Sequence, residues 1–178
     1  VGRDASLEII ERHLGLIPSN EHAAAIGRIR HIGETIGRQV DLDRIRATAA
    51  TAPTLPAEPP FVPSAAPGAK VRIGIARDEA FGFYYPDDLA ALERAGAELV
   101  PIDTLHDRRL PAIDGLLIGG GFPETCMEGL AENREMRAAI RNAIEQGLPT
   151  YAECGGLMYL ARSLHWKGRH ADMVGVIP

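Results

Sequence analysis

Cys154 stands in "YAECGGLMYL" (151–160), between a glutamate and a pair of glycines. A thiol so placed is either a small buried filler beside a glycine turn or a nucleophile that the turn presents. A strand that turns at once into a helix leaves its corner residue projecting above the sheet, where only small neighbours fit. Ala152 lies two residues before the cysteine, and Gly155 and Gly156 follow it. In that geometry the Gly155 N–H points toward whatever the sulfur attacks, and the start of the following helix favours a thiolate. A second cluster, Gly119-Gly120-Gly121, follows the apolar run "LLI". Beside a nucleophile it offers a backbone donor to a developing oxyanion, opposite Gly155. Taken alone it reads equally as a turn with positive φ. A phosphate loop is excluded, because neither G-x-x-x-x-G-K-[ST] nor G-x-G-x-x-G is completed.

A cysteine nucleophile needs a base, normally a histidine held by a carboxylate. His106 sits in the polar connection "TLHDRRLP", and His165 and His170 flank a turn at Lys167-Gly168. None falls at a strand end, so all three read as surface residues and the partner is expected beyond Pro178. Glu153 adjoins the sulfur in sequence, but strand neighbours point to opposite faces, so it is not cast as the base. Cys126, in "PETCMEG", lacks a glycine frame and reads as packing. "DEAFGFYY" (78–85) is either a hydrophobic lid over the first helix of its block or part of a substrate or domain-contact surface.

The elements that must position these residues alternate along 70–178. Strands are expected in "KVRIGIA", "AELVPI", "DGLLIGGG" and "LPTYAEC". "PDDLAALERAG" reads as a helix with Pro86 first, Asp87 and Asp88 at its positive end and Gly96 to stop it. "NREMRAAIRNAIEQG" is a second helix, capped by Asn133, with Met136, Ile140 and Ile144 on one face; "GLMYLARSL" is a further helical run. Alternation of this kind implies right-handed crossovers and an open, mostly parallel, flavodoxin-like α/β sheet covered by helices on both faces. Function in such sheets gathers at the carboxyl ends of the strands, where both glycine clusters fall. "LHWKGRHADMVGVIP" suggests an antiparallel hairpin about Lys167-Gly168.

Upstream, residues 51–69 hold six prolines and no regular apolar period, which marks a linker. Before it, Leu7, Ile10 and Leu14, then Ile26, Ile29, Ile32 and Ile36, then Leu42 and Ile45, recur at helical spacing. Such a segment could hardly bury its own faces and is expected to pack on something else. The chain opens on Val1 and stops after the apolar run "MVGVIP", which suggests a piece of a longer protein.

A formal net charge of −5 gives no support to a nucleic-acid or membrane-surface binder, and no apolar run approaches a membrane span. Two cysteines and no signal-peptide pattern point to the cytoplasm rather than to a disulfide framework.

Three ordered stretches, "DEAFGFYYPDDLAALERAGAELVPIDTLHDRRLP", "DGLLIGGGFPE" and "YAECGGLMYL", resemble the glutaminase domain of the cobyrinic acid a,c-diamide synthase family, of the cobyric-acid-synthase type of class I glutamine amidotransferases. The likeness runs from about Val71 to Pro178. "ERHLGLIPSNE" resembles the last stretch of the same family's ATP-binding synthetase domain. The resemblance implies three parts: 1–50 as the helical tail of a synthetase domain, 51–69 as the linker and 70–178 as an amidotransferase domain cut short at its C-terminus. It implies that Cys154 attacks the glutamine side-chain amide and forms a γ-glutamyl thioester. Gly155 and one of Gly120 or Gly121 would hold the oxyanion. The released ammonia would amidate the a and c acetate carboxylates of cobyrinic or hydrogenobyrinic acid. ATP and Mg2+ would serve in the whole enzyme, with no cofactor or metal in this piece. The implied partners are glutamine, the corrin precursor and a second copy in a homodimer. The family's catalytic histidine and its phosphate-binding loop would both lie outside these residues, leaving this piece inactive alone. Alternatives left open are another acceptor (cobyric acid, a nickel tetrapyrrole or a cell-wall precursor) and a non-catalytic flavodoxin-like interaction module.

Overall fold

The computed structural model describes Gly2, residues 4–8, 25–55 and 70–178. The chain forms two units, Val1–Phe61 and Val62–Pro178.

In the first unit, Ala5–Leu7 make a single 3-10 turn, capped by Asp4 accepting from the Ser6 N–H. Two helices follow, α1 (Ala25–Gln39) and α2 (Leu42–Ala49), the second capped by Asp41 accepting from the Arg44 N–H. The expected isoleucine stripe is present on α1, yet Ile26 and Ile29 are 74% and 63% exposed, and Leu42 and Ile45 on α2 are also largely exposed. Of the first apolar run only Leu7 is described; Ile10, Leu14, the "HLGLIPSNEH" segment and residues 56–69 of the linker lie outside the described residues.

The second unit is an α/β domain. Its strands are β1 (Val71–Ala76), β2 (Phe81–Phe83), β3 (Ala97–Ile102), β4 (Gly115–Ile118), β5 (Gly120–Gly121), β6 (Thr150–Ala152), β7 (Ser163–Trp166) and β8 (Arg169–Asp172). Its helices are α3 (Pro86–Arg94), α4 (Met127–Glu132), α5 (Arg134–Glu145) and α6 (Gly155–Leu160). Four strands form one parallel sheet in the order β3-β1-β4-β6, as the alternation implied. β1 lies inside the sheet and its last three residues, Gly74, Ile75 and Ala76, are all buried, as both faces of a covered parallel sheet require. α3 begins at Pro86 and is stopped at Gly96, which has φ +98°. Asn133 caps α5: its Oδ1 accepts from the Met136 N–H at 3.3 Å, while its Nδ2 donates to the carbonyls of Thr104 (2.9 Å) and Asp107 (2.8 Å). The cap therefore also ties the loop after β3 to the helix. Phe81, Phe122, Ile118, Met127, Leu130, Met136, Ile140 and Tyr159 are fully buried in the core. Each such side chain contributes roughly 1.5–3 kcal/mol by leaving water. The hairpin β7–β8 forms with His165 opposite His170, and Lys167 and Gly168 at its tip both have positive φ.

Three expectations need correction. "DEAFGFYY" is no lid over α3, because Phe81–Phe83 pairs antiparallel with Gly120–Gly121 as a separate two-stranded ribbon. The triple glycine is not a positive-φ turn, because Gly120 and Gly121 are extended in that ribbon. The run "GLMYLARSL" stays helical only to Leu160. Ala161 turns extended (φ −63°, ψ 169°) and bridges to Ile177, which leads the chain into the hairpin.

Candidate functional site

β6 ends at Ala152 and α6 begins at Gly155, so two residues make the whole corner. Cys154 turns it with φ +49° and ψ −117°, a conformation that L-residues avoid and that typically costs about 1–3 kcal/mol. Its thiol is exposed. The corner is held from below by β4. The Glu153 N–H donates to the Ile118 carbonyl (3.1 Å), and the Gly156 N–H to the Gly119 carbonyl (3.1 Å). These contacts bring the backbones close enough to exclude side chains. A Cβ on Gly156 would lie 2.3 Å from the Ile118 oxygen, and one on Gly155 would lie 2.8 Å from the Gly121 oxygen and 3.0 Å from its nitrogen. Glycine is required at both.

The triple glycine packs directly beside the cysteine. A Cβ on Gly120 would stand 3.7 Å from the Cys154 Cβ. The Phe122 N–H donates to Ala80 O, so the preceding peptide turns the Gly121 carbonyl toward Gly155 instead. In extended backbone the N–H of a residue shares the side of its carbonyl, so the Gly121 N–H also faces the corner. The Gly120 N–H belongs to the trans peptide whose carbonyl accepts from Gly156, and it points the opposite way. Between the two glycines, Gly121 is the one that shares a space with Gly155. The Gly155 and Leu157 amides lie in the first turn of α6, where helical geometry supplies no partner. An exposed sulfur with backbone donors on both sides can attack a carbonyl carbon and hold the charge that develops on its oxygen.

A profile of the CobB/CobQ-like glutamine amidotransferase domain matches residues 72–178. The chain belongs to this family. Curated proteins similar to it carry the name cobyrinate a,c-diamide synthase. One from Magnetococcus marinus is 48% identical over 183 residues, covering 100% of this chain and 39% of that protein. Others from Listeria monocytogenes (43% identical, 98% of this chain, 38% of that protein) and Methanosarcina acetivorans (42%, 100% and 40%) agree. The chain thus spans about two fifths of the length of the curated relatives it matches.

The family's amidotransferase match covers every residue described at this corner. The histidines considered as bases are engaged elsewhere. His106 Nδ1 lies 2.9 Å from Asp103 Oδ2, and this carboxylate raises the imidazole pKa above its usual range. The His165 and His170 rings pack on each other at 4.4 Å across the hairpin. Glu153 accepts from the Tyr151 hydroxyl at 3.0 Å. Cys126 is half-buried against the core, with Thr125 Oγ1 3.7 Å from its sulfur. It borders an open cleft of about 510 Å³ with Glu79, His106, Arg108 and Glu128, and Cys154 is not among the cleft's lining residues.

Two contributors lie in the stretch "DEAFGFYY", where the sequence marks a candidate surface and no individual residue. Asp78, after β1, accepts from the Ala80 and Phe81 amides at 2.8 and 3.0 Å and from the Thr104 amide and hydroxyl, both at 2.6 Å. Burial pushes its carboxyl pKa upward against those four bonds. It joins the loops at the carboxyl ends of β1 and β3. Tyr84 donates to the Ala76 carbonyl (2.6 Å) and accepts from the Gly119 N–H (2.9 Å). The visible signal was the alternation Phe81-Gly82-Phe83, too short to be recognised as a strand.

Proposed function

We propose that this chain is the glutamine-hydrolysing part of a ligase that amidates the a and c acetate carboxylates of cobyrinate or hydrogenobyrinate in cobalamin biosynthesis. The observation that carries the reading is Cys154, held at positive φ on a two-residue strand-to-helix corner against Gly121. The amidotransferase family to which the chain belongs, and the name its relatives carry, support the substrates.

In this mechanism the Cys154 thiolate attacks the side-chain carbonyl carbon of glutamine and a C–S bond forms. The carbonyl electrons move to oxygen, where the Gly155 and Gly121 N–H groups hold them. Collapse of the adduct breaks the C–N bond, and ammonia leaves with a proton from the base. The γ-glutamyl thioester is then hydrolysed to glutamate, returning the thiol. We assign the base to a histidine beyond Pro178, as the family resemblance implies; the described histidines have other partners. Ammonia would pass to a carboxylate that the rest of the whole protein, which we place in the cytoplasm, would activate with ATP and Mg2+. Among the described residues none is arranged to hold those two groups. The sequence lacks a phosphate-loop motif, and among the described residues no cluster of three or more His, Cys, Asp or Glu is placed to hold a metal. No step here is routed through them. Among the described residues no helix is long and apolar enough to cross a membrane.

The test is glutamate release from glutamine by the protein expressed at the length of its relatives. Cys154→Ala should abolish it while Cys126→Ala leaves it within about twofold. Turnover that survives Cys154→Ala would remove the mechanism. Amidation assays with cobyrinate and with cobyric acid as competing acceptors decide the substrate.

A further inference from the structure

The parallel pairing of β1 with β4 stops one step before the carboxyl edge. Its last partners are Ile75 and Leu117, although β1 continues to Ala76 and β4 to Ile118. A phenol occupies the gap. The Tyr84 hydroxyl donates to the Ala76 carbonyl at 2.6 Å and accepts from the Gly119 N–H at 2.9 Å, so one group uses both its capacities to join the strand ends. Its ring fills the place of a Gly119 side chain, since a Cβ there would meet Tyr84 Cε1 at 2.7 Å. Burial pushes the phenol pKa up to about 12, so the hydroxyl keeps its proton throughout the physiological range.

Gly119 is thereby fixed at both ends. Its N–H is held by Tyr84, and its carbonyl accepts from Gly156 beside the cysteine. The next residues, Gly120 and Gly121, have no side chains to restrict them, and glycine peptides rotate more freely than any others. The pairing of β2 with β5, the Phe122–Ala80 bond and the anchor at Gly119 together set which way the Gly121 N–H points. Phe83 adds a wall on the same side, 3.3 Å from where a Gly120 side chain would be, and its ring packs edge-on against Phe122.

We infer that Tyr84 is a positioning residue for glutamine hydrolysis: its hydroxyl clamps Gly119 between β1 and β4 and so aims the Gly121 amide at the oxygen of the adduct formed on Cys154. The inference rests on the reading of Cys154 as nucleophile. A clamp that acts on the transition state and not on substrate binding should alter kcat and leave KM in place.

The experiment is steady-state glutamine hydrolysis by the protein at the length of its relatives, comparing wild type, Tyr84→Phe, Cys154→Ala and Tyr84 replaced site-specifically by 3,5-difluorotyrosine. Tyr84→Phe keeps the ring and should lower kcat about 10- to 100-fold, the scale expected of a misplaced donor, with KM within about twofold. Alkylation of Cys154 by iodoacetamide, which needs no oxyanion donor, should be unchanged in Tyr84→Phe. Fluorination lowers the phenol pKa, so kcat of that protein should fall at alkaline pH where wild type does not, as the proton donated to Ala76 is lost. This second arm decides the matter if Tyr84→Phe does not fold. Wild-type kcat in Tyr84→Phe, or a wild-type pH profile in the fluorinated protein, would overturn the inference. If Cys154→Ala still hydrolyses glutamine, the functional reading itself has failed, and that outcome is distinct from an intact Tyr84 variant.

Discussion

Replacing Gly156 with alanine tests the packing that makes the corner. The added methyl would lie 2.3 Å from the Ile118 oxygen and 2.8 Å from both the Ile118 carbonyl carbon and Cγ2. A close carbon–oxygen contact is about 3.3–3.6 Å, so α6 and β4 must separate by roughly 1 Å. They are tied at this point by the 3.1 Å bonds from Glu153 to Ile118 and from Gly156 to Gly119. Overpacking of this kind costs about 1–3 kcal/mol, and loosening a buried hydrogen bond adds about 0.5–1.5 kcal/mol. The sum, roughly 1.5–4.5 kcal/mol, corresponds to a fall in Tm of about 6–22 °C for a domain near 100 residues. A displacement of ~1 Å at the sulfur should also slow acylation about 100-fold. Gly115→Ala is the control, because its nearest atom would be the Pro149 oxygen at an ordinary 3.6 Å. Urea denaturation and single-turnover acylation of the two variants give both quantities. Gly156→Ala with wild-type stability and an unchanged acylation rate would refute the close approach of α6 to β4 on which the site depends.

Cys154→Gly should raise stability by about 1–3 kcal/mol by relieving the positive φ, whereas Cys154→Ala should not; equal denaturation midpoints would show that the corner is unstrained. On α1, Gly33 and Gly37 have open space around them, so Gly33→Ala with Gly37→Ala should add about 1–2 kcal/mol of helix stability, read by thermal unfolding followed by circular dichroism; a loss would mean those positions touch something. His106 should titrate above its usual pKa because Asp103 favours the imidazolium, and Asp103→Asn should return it to the ordinary range, as an NMR titration will decide. A folded-state pKa above the unfolded value makes this pair stabilising below the unfolded pKa, and the contribution disappears as pH rises through the folded one. Its size should be small, since both groups are solvent-screened.

What could be read from the sequence was local. Pro86, Asn133 and Gly96 mark helix ends within a turn of themselves, and the strands β1, β3, β4 and β6 carry enough apolar residues to declare themselves. The corner at Cys154 was legible for the same reason, because Ala152, Gly155 and Gly156 surround it in sequence. The ribbon β2–β5 was not, since a three-residue strand has no periodicity of its own and its partner is glycine. Nor could Tyr84 be placed, because its contacts with Ala76 and Gly119 exist only once two strands lie side by side. Asp78 and Thr104 meet in the same way from 26 residues apart. Length misled at α6, where an apolar run continued past the point at which Ala161 leaves for the hairpin. The choice between the Gly120 and Gly121 amides also had to wait, since peptide orientation is written in hydrogen bonds and not in residue type.

The most direct measurement is covalent trapping with a glutamine-mimicking chloroketone, followed by peptide mapping, on the protein at the length of its relatives. One equivalent should attach to the peptide carrying Cys154, free glutamine should protect it, and Cys126 should stay unmodified. Label on Cys126, or label on Cys154 that glutamine does not slow, would contradict the account.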